Sequence, residues 1–198
     1  MVIEAMRFFA FLFFCLFLAC QNPFALREPE PPIFSRSSWI PPLSPEKVLV
    51  NLQNAVAERD IQNYTRCLAD PAYSSRAFVF EPDPETAADR PSVFVQWGVD
   101  RERAVMQQAF SSVPSDSTCS LLWTKVVREI VAPDTAVFVR QYRMDIRHGP
   151  APFPSRVEGQ AEFRLAADRR GEWMIYRWTD NATAGSVSWS RLKAALGG

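Results

Sequence analysis

Residues 157 to 166 have the sequence Val-Glu-Gly-Gln-Ala-Glu-Phe-Arg-Leu-Ala, and this stretch decides the fold class. Small or apolar residues alternate with charged or amide residues along nearly all of it. Because the side chains of a strand point to opposite faces in turn, this period of two predicts a strand with one buried and one solvated face. One-sided strands are typical of antiparallel sheets, so we expect such a sheet here.

The same period continues on both sides of this strand. Residues 118–131 and 136–147 precede it and predict two further strands, joined by a turn at Pro133-Asp134. Residues 173–180 follow it after a short turn and predict the last strand. Strands that follow one another through short connections usually pair with their neighbours, so the four form a predicted meander.

Upstream of the meander the apolar period is helical. Residues 45–58 predict a first helix capped by Ser44, and Asp60 is placed to cap a short second helix. Residues 101–110 predict a third helix, and residues 189–196 a terminal helix capped by Ser188.

These elements together predict an α+β domain. A curved antiparallel sheet of four long strands, plus a short strand at Phe78-Val79-Phe80, would wrap around three helices. Residues 84–96 between the short strand and the third helix are expected to form a loop, with or without a single helical turn.

The N-terminal region contains a predicted targeting signal. Residues 8–20 form an unbroken apolar run behind Arg7, too short to span a bilayer but typical of a secretory signal. The run ends at Ala19-Cys20, a pattern that resembles a lipobox, in which Cys20 is lipid-modified and becomes the mature N-terminus. A plain signal peptide cut near Ala19 and an uncleaved anchor are the alternatives.

Three segments follow from this interpretation: a signal peptide over residues 1–19, a lipidated and Pro-rich tether over 20–43, and a folded domain over 44–198. Gln21 after the cysteine favours the outer membrane, with the domain in the periplasm, because lipoproteins that resemble this one and lack Asp there usually go to that membrane.

Composition narrows the partners and the chemistry. Lys and Arg number 22 against 22 Asp and Glu, so no basic excess attracts nucleic acid. His148 is the single histidine, which makes zinc improbable. A Ser-His-Asp or Cys-His set could be built only through this residue, which we expect to lie in a solvated loop. We expect no metal, no cofactor and no catalytic residue. Cys67 and Cys119 could form a disulfide in an oxidising compartment or remain buried thiols.

A family resemblance rests on three stretches. The first helix ends in Ala55-Val56-Ala57-Glu58-Arg59-Asp60, the short strand continues into Glu81-Pro82, and the last strand runs from Gly171 through Trp173 and Trp178 to Asp180. This layout over residues 45–182 resembles the nuclear transport factor 2-like superfamily, which includes SnoaL-like and ketosteroid-isomerase-like proteins. The resemblance implies a cone-shaped, cystatin-like roll whose mouth often binds an apolar small molecule.

Polar side chains on the apolar faces are the candidate site. Arg140 and Tyr142 lie on the predicted inner face of one strand, and Tyr176, Trp178 and Asp180 on that of the last strand. They would line a pocket in which Arg140 and Asp180 neutralise one another. Alternatively, Arg140 forms a structural ion pair elsewhere, and Asp180 caps the turn that begins at residue 181.

The resulting prediction is a membrane-tethered periplasmic binding or assembly domain without catalytic activity. Its partner would be a protein, an apolar small molecule or a second copy paired through the sheet. The alternatives are a small-molecule enzyme of SnoaL-like or isomerase type, using acid/base chemistry in the cone, and a structural envelope scaffold. A filled cone with exposed apolar sheet would favour assembly, and an open cone with paired polar groups would favour a ligand.

Overall fold

The computed structural model describes residues 37 to 197, which form an α+β fold of five helices and five strands. The helices are α1 (Pro45–Glu58), α2 (Ile61–Arg66), α3 (Pro84–Asp89), α4 (Val99–Ser111) and α5 (Trp189–Leu196). The strands are β1 (Val79–Glu81), β2 (Cys119–Val131), β3 (Thr135–Ile146), β4 (Arg156–Ala167) and β5 (Trp173–Ala182). Cys20, the signal segment and most of the predicted tether lie outside the described residues.

The five strands form one sheet in the order β1-β5-β4-β3-β2. The predicted meander is confirmed, because β2, β3, β4 and β5 pair antiparallel in sequence order. The predicted short strand β1 adds to one edge of this sheet, where it pairs parallel with β5. Parallel strands need a long connection, and the chain between β1 and β5 provides one because it contains two helices and three strands.

The sheet is one-sided, as the alternating pattern predicts. Its inner face packs against the helices, with α1 on β2 and β5, and α5 on β4 and β5. Its outer face carries cross-strand ion pairs such as Arg143–Glu158 and Arg156–Asp145, both at 2.7 Å. The apolar side chains of β3, β4 and β5 therefore form the core beneath a charged outer surface.

The helix ends have local causes. Arg59 adopts a left-handed conformation, φ 55°, and ends α1 where a break was predicted. The Asp60 side chain accepts a hydrogen bond from the Asn63 N–H at 2.9 Å and caps α2, as predicted. Ser44 makes no side-chain cap, so that prediction is wrong; Pro45 occupies the first turn and supplies no N–H there.

Two segments are more ordered than the sequence predicts. Residues 84–89 form α3 within the expected loop, because the buried Asp83 side chain accepts from the Thr86 N–H at 3.0 Å. Residues 37–43 pack on the domain: the Asn51 side chain binds the backbone of Ile40, and the Trp173 N–H donates to the Pro42 carbonyl at 2.8 Å. The part of the tether next to the domain is therefore docked.

Two remaining features bear on location and redox state. Within residues 37–197 no helix has the length and hydropathy needed to cross a bilayer. Cys67 and Cys119 are both buried free thiols rather than a disulfide. Burial raises the pKa of both thiols, which keeps them protonated and unreactive at neutral pH.

Candidate functional site

The terminal helix α5 occupies the inside of the cone. Trp189, Leu192 and Lys193 on this helix are completely buried. The Trp189 ring packs edge-on against Trp178, with centroids 4.5 Å apart, and against Tyr142 at 5.5 Å. Two of the predicted pocket residues thus face a helix of the same chain.

The polar groups of the predicted pocket hold the first turn of α5. The backbone N–H of Trp189 donates to the Tyr142 hydroxyl at 2.7 Å, and the backbone N–H of Ser190 donates to Oδ2 of Asp180 at 2.7 Å. The Arg191 N–H donates to the Ser188 hydroxyl, as the predicted cap requires. Free N–H groups at a helix start need such acceptors, so these side chains complete the helix.

Asp180 is the centre of this arrangement. Its carboxylate also accepts from the Tyr142 hydroxyl at 2.7 Å and from the Ser190 hydroxyl at 2.6 Å. The strand continues to Ala182, so the interpretation of Asp180 as a cap of the following turn is wrong. Burial raises the pKa of Asp180, while the hydrogen bonds from Ser190 and Tyr142 and the positive charge of Lys193 oppose the change.

Gly159 makes room for the Tyr142 hydroxyl. It lies opposite Tyr142 on β4, and a Cβ built on it would lie 2.6 Å from the hydroxyl oxygen. Burial raises the pKa of Tyr142, with the neighbouring Asp180 charge in the same direction, so the phenol stays neutral and donates its proton.

Asp83 extends the same network and was missed by the sequence. Its buried side chain accepts hydrogen bonds from the hydroxyls of Ser188 and Thr86. Burial alone would raise the pKa of Asp83, but these hydrogen bonds together outweigh burial and lower the pKa. The Ser190 hydroxyl connects Asp83 to Asp180, since it accepts a hydrogen bond from the Asp83 backbone N–H and donates one to the Asp180 carboxylate.

A second buried polar cluster lies further along α5. The Lys193 ammonium lies 3.0 Å from Oε2 of Glu102, and both side chains are inaccessible to solvent. Glu102 also accepts from the Tyr64 hydroxyl at 2.6 Å and the Trp97 indole N–H at 2.7 Å. Glu102 precedes Val105 and Met106 by three and four positions, which places it on the apolar face of α4. This spacing was the one signal in the sequence that Glu102 is buried.

Arg140 is separate from both clusters. Its guanidinium pairs with Glu129 on the neighbouring strand and lies 4.8 Å from the centre of the Phe138 ring. In the strand register Ala161 stands between Arg140 and Asp180. The expectation that Arg140 and Asp180 neutralise one another is therefore wrong, and the alternative of a structural ion pair is confirmed.

Tyr176 is also apart from the group around Asp180. It lies at the strand irregularity opposite Arg164 and Leu165, is half-buried, and stacks beneath the guanidinium of Arg76 at 4.6 Å. The structure thus brings together Tyr142, Trp178 and Asp180, but neither Arg140 nor Tyr176.

Two surface cavities lie away from this group. A surface cavity of about 840 Å³ lies between Trp39, α2 and the turn before β5, and a smaller one of about 410 Å³ lies beside α3. Neither is lined by Tyr142, Trp178 or Asp180. Within residues 37–197 no cluster of three or more His, Cys, Asp or Glu side chains could hold a metal ion.

Comparison with known proteins identifies the fold. No protein-family model and no curated protein sequence matches the chain. A candidate aromatic ring hydroxylase from Novosphingobium aromaticivorans aligns with a TM-score of 0.54 and 15% identity, covering 77% of this chain and 96% of its own. A protein from Kribbella flavida aligns with a TM-score of 0.52 and 13% identity, covering 76% and 95%.

A conserved protein from Planctomyces limnophilus also aligns, with a TM-score of 0.51 and 14% identity over 72% of this chain and 94% of its own. At such identities the likeness concerns the fold alone. The cone of helices under a curved sheet is the nuclear transport factor 2-like fold that the sequence resemblance implies.

Proposed function

We propose that this chain is a membrane-tethered assembly domain without catalytic activity. The observation that carries the proposal is the filled cone. The α5 helix occupies the space where a substrate would bind, and the carboxylate of Asp180 and the hydroxyl of Tyr142 are already engaged by its backbone N–H groups. A general acid or base must reach a substrate proton, and neither group has access to one in this arrangement.

The outer half of β2 supplies a contact surface. Five large apolar side chains of this edge strand are between 45% and 58% exposed, and we call them the β2 patch: Leu122, Val126, Val127, Ile130 and Val131. Exposed large apolar side chains concentrated along one edge strand favour an interaction site.

The partner that we propose for the β2 patch is a second copy of the chain. Lys125 and Glu129 are equally distant along the strand from Val127. A two-fold axis at Val127 would therefore place Lys125 of each copy opposite Glu129 of the other. Glu129 pairs with Arg140 of its own chain, but its side chain is 43% exposed and can also meet this lysine, so the charges are self-complementary. Irregularities in the register on either side of Val126 interrupt the ladder, so we expect contacts through side chains rather than a continuous added strand.

The tether belongs to the same proposal. A lipid at Cys20 would hold the chain on the outer membrane, and the Pro-rich segment would carry the domain into the periplasm. With Cys20→Ser the protein should leave the membrane fraction and take up no labelled fatty acid. The tether would be contradicted if the Cys20→Ser variant still fractionated with membranes and the wild type took up no labelled fatty acid.

Assembly is tested by sedimentation equilibrium on the chain from residue 20 onward with Cys20→Ser. We expect a dimer, a monomer for Val126→Glu, and a dimer for the control Val95→Glu, whose side chain is 65% exposed away from the patch. Lys125→Glu should weaken the dimer, because it places acidic side chains opposite one another. A monomeric parent chain, or equal effects of Val126→Glu and Val95→Glu, would contradict the proposed surface.

Absence of catalysis is tested separately by screening the wild type for turnover of hydrophobic ketones and epoxides. We expect none. Robust turnover that disappears in a stably folded Asp180→Asn variant would overturn this part of the proposal in favour of an isomerase-type enzyme.

A further inference from the structure

The Lys193 ammonium is held in a way that resembles a bound ligand. It lies 3.3 Å from the centre of the Phe80 ring and 4.2 Å from that of Trp178. Within the described residues its one acidic contact is Glu102, and it makes no further hydrogen bond. A carboxylate together with aromatic faces is the arrangement that proteins use to recognise organic cations.

The residues that form the walls of this site belong to elements other than α5. Phe80 is on β1, Trp178 on β5 and Glu102 on α4. Tyr64 and Trp97 fix the Glu102 carboxylate through hydrogen bonds of 2.6 Å and 2.7 Å. The aromatic walls also support one another, since the rings of Phe80 and Trp178 meet edge to face with centroids 5.9 Å apart. The site would therefore keep its shape without the lysine.

The charge of the site favours a cation. Glu102 and Asp180 are both fully buried acids, and Lys193 is the cation next to them. Burial lowers the pKa of Lys193 to about 8, and the charges of Glu102 and Asp180 oppose this. The ammonium therefore stays mostly protonated at neutral pH. Removing it would leave buried negative charge without compensation, which costs free energy until another cation enters.

We propose that Glu102, Phe80 and Trp178 form a binding site for small primary aliphatic amines, and that Lys193 occupies this site as an internal ligand. A free amine binds when α5 moves out of the cone. Because this proposal concerns the inside of the cone, it does not depend on the β2 patch or on the membrane tether.

The distances define the class of amine. An ammonium nitrogen 3.3 Å from a ring centre leaves no space for methyl groups between the nitrogen and the ring. Primary amines should therefore bind better than quaternary ones, and neutral alcohols of the same length should not bind. The flexible stem of Lys193 passes from α5 to the site, so an unbranched alkyl chain fits the same path.

The first experiment restores the missing group. Lys193→Ala removes three carbons and the ammonium, which together correspond to n-propylammonium. Added n-propylammonium should stabilise the variant by binding to its folded state. At ~10 times the dissociation constant, the unfolding equilibrium constant should fall about 10-fold. Tetramethylammonium and n-propanol should have less effect, and Lys193→Met, whose side chain fills the space, should not respond. Equal responses of Lys193→Ala and Lys193→Met, or to amine and alcohol, would overturn the proposal.

The second experiment needs no variant and addresses displacement of α5. Amide hydrogen exchange of the wild type is measured with and without n-butylammonium at matched ionic strength. We expect exchange over residues 189–196 to increase with the amine, and to remain unchanged with tetramethylammonium. Unchanged exchange at an amine concentration that saturates Lys193→Ala would show that Lys193 is a fixed structural cation, and would overturn its role as a displaceable ligand.

Discussion

The inside of the cone and the outer half of β2 use the same sheet in opposite ways. Inside, the polar groups of Asp180 and Glu102 are buried and engaged by donors from other elements. On β2, apolar side chains such as Val126 and Ile130 are more than half exposed and touch little of their own chain. The difference is that the acidic groups of the cone are engaged within the chain, whereas the apolar side chains of outer β2 stay exposed.

The capping cluster inside the cone should give the largest effect. Asp180→Ala removes the acceptor of the Ser190 backbone N–H and of the Tyr142 hydroxyl proton and leaves both buried donors without an acceptor. We expect a loss of about 3 to 5 kcal/mol in the free energy of unfolding. Urea denaturation measures it, with Asp116→Ala at an exposed position as the control. A loss below about 1 kcal/mol for Asp180→Ala would mean that α5 is not held by this carboxylate.

The close approach at Gly159 tests the same cluster more gently. In Gly159→Ala the added methyl would lie 2.6 Å from the Tyr142 hydroxyl and 2.7 Å from the Asn181 carbonyl oxygen, so the backbone must shift. We expect a loss of about 1 to 3 kcal/mol, accompanied by a change in tryptophan fluorescence as Trp189 moves.

The matched control is Gly149→Ala in the β3–β4 loop, where an added methyl meets nothing within 4 Å. Its effect should stay within about 0.5 kcal/mol. Similar losses in the two glycine variants would show that the Tyr142 hydroxyl is not tightly enclosed.

The Lys193 cluster predicts a pH dependence. Its folded pKa of about 8 lies below the ordinary value of 10.5, so above pH 8 the unfolded chain binds more protons than the folded one. The contribution of this lysine to stability therefore increases as the pH rises from about 8 toward 10.5. Between pH 7.5 and 9.5 the gain should be about 1 to 2 kcal/mol.

The reference for this measurement is the double variant Lys193→Met, Glu102→Gln, which removes both charges. Burial raises the pKa values of Tyr142 and Cys67 in both proteins, so their contributions cancel in the difference between the two urea denaturation series. Burial and Glu102 both raise the pKa of Tyr64, so the comparison ends at pH 9.5, below the ordinary tyrosine pKa of 10.0. A difference that stays constant or decreases with pH would contradict a buried, charged Lys193.

The sequence was informative where the signal was periodic. Alternation over residues 157–166 predicts β4 to within one residue at each end, and Asp60 and Ser188 cap the predicted helices. These features are local, because a strand face or a helix cap depends on residues that are neighbours in the chain.

The site could not be predicted in the same way. Lys193 looks like a solvated residue in an amphipathic helix. The spacing of Glu102 places it on the apolar face of α4 but does not identify its partner, and only the packing of α5 against α4 brings the two together. Asp180 carries no sign of its partner Ser190, because that contact depends on how the loop before α5 turns into the cone. The position of a terminal helix is decided by tertiary packing, which the apolar period of the helix alone does not specify.

The smallest expected effect is on the exposed side of the comparison. Val126→Ala, at protein concentrations low enough to keep the chain monomeric, should change the free energy of unfolding by less than about 0.5 kcal/mol, because the side chain is 58% exposed. Val157→Ala on β4, where the side chain is buried against the helices, should cost about 2 kcal/mol. At concentrations that favour the dimer, the cost of Val126→Ala should increase, whereas that of Val157→Ala should stay the same. If Val126→Ala costs as much as Val157→Ala in the dilute protein, the β2 patch is packed within the monomer, and the contrast between the two regions fails.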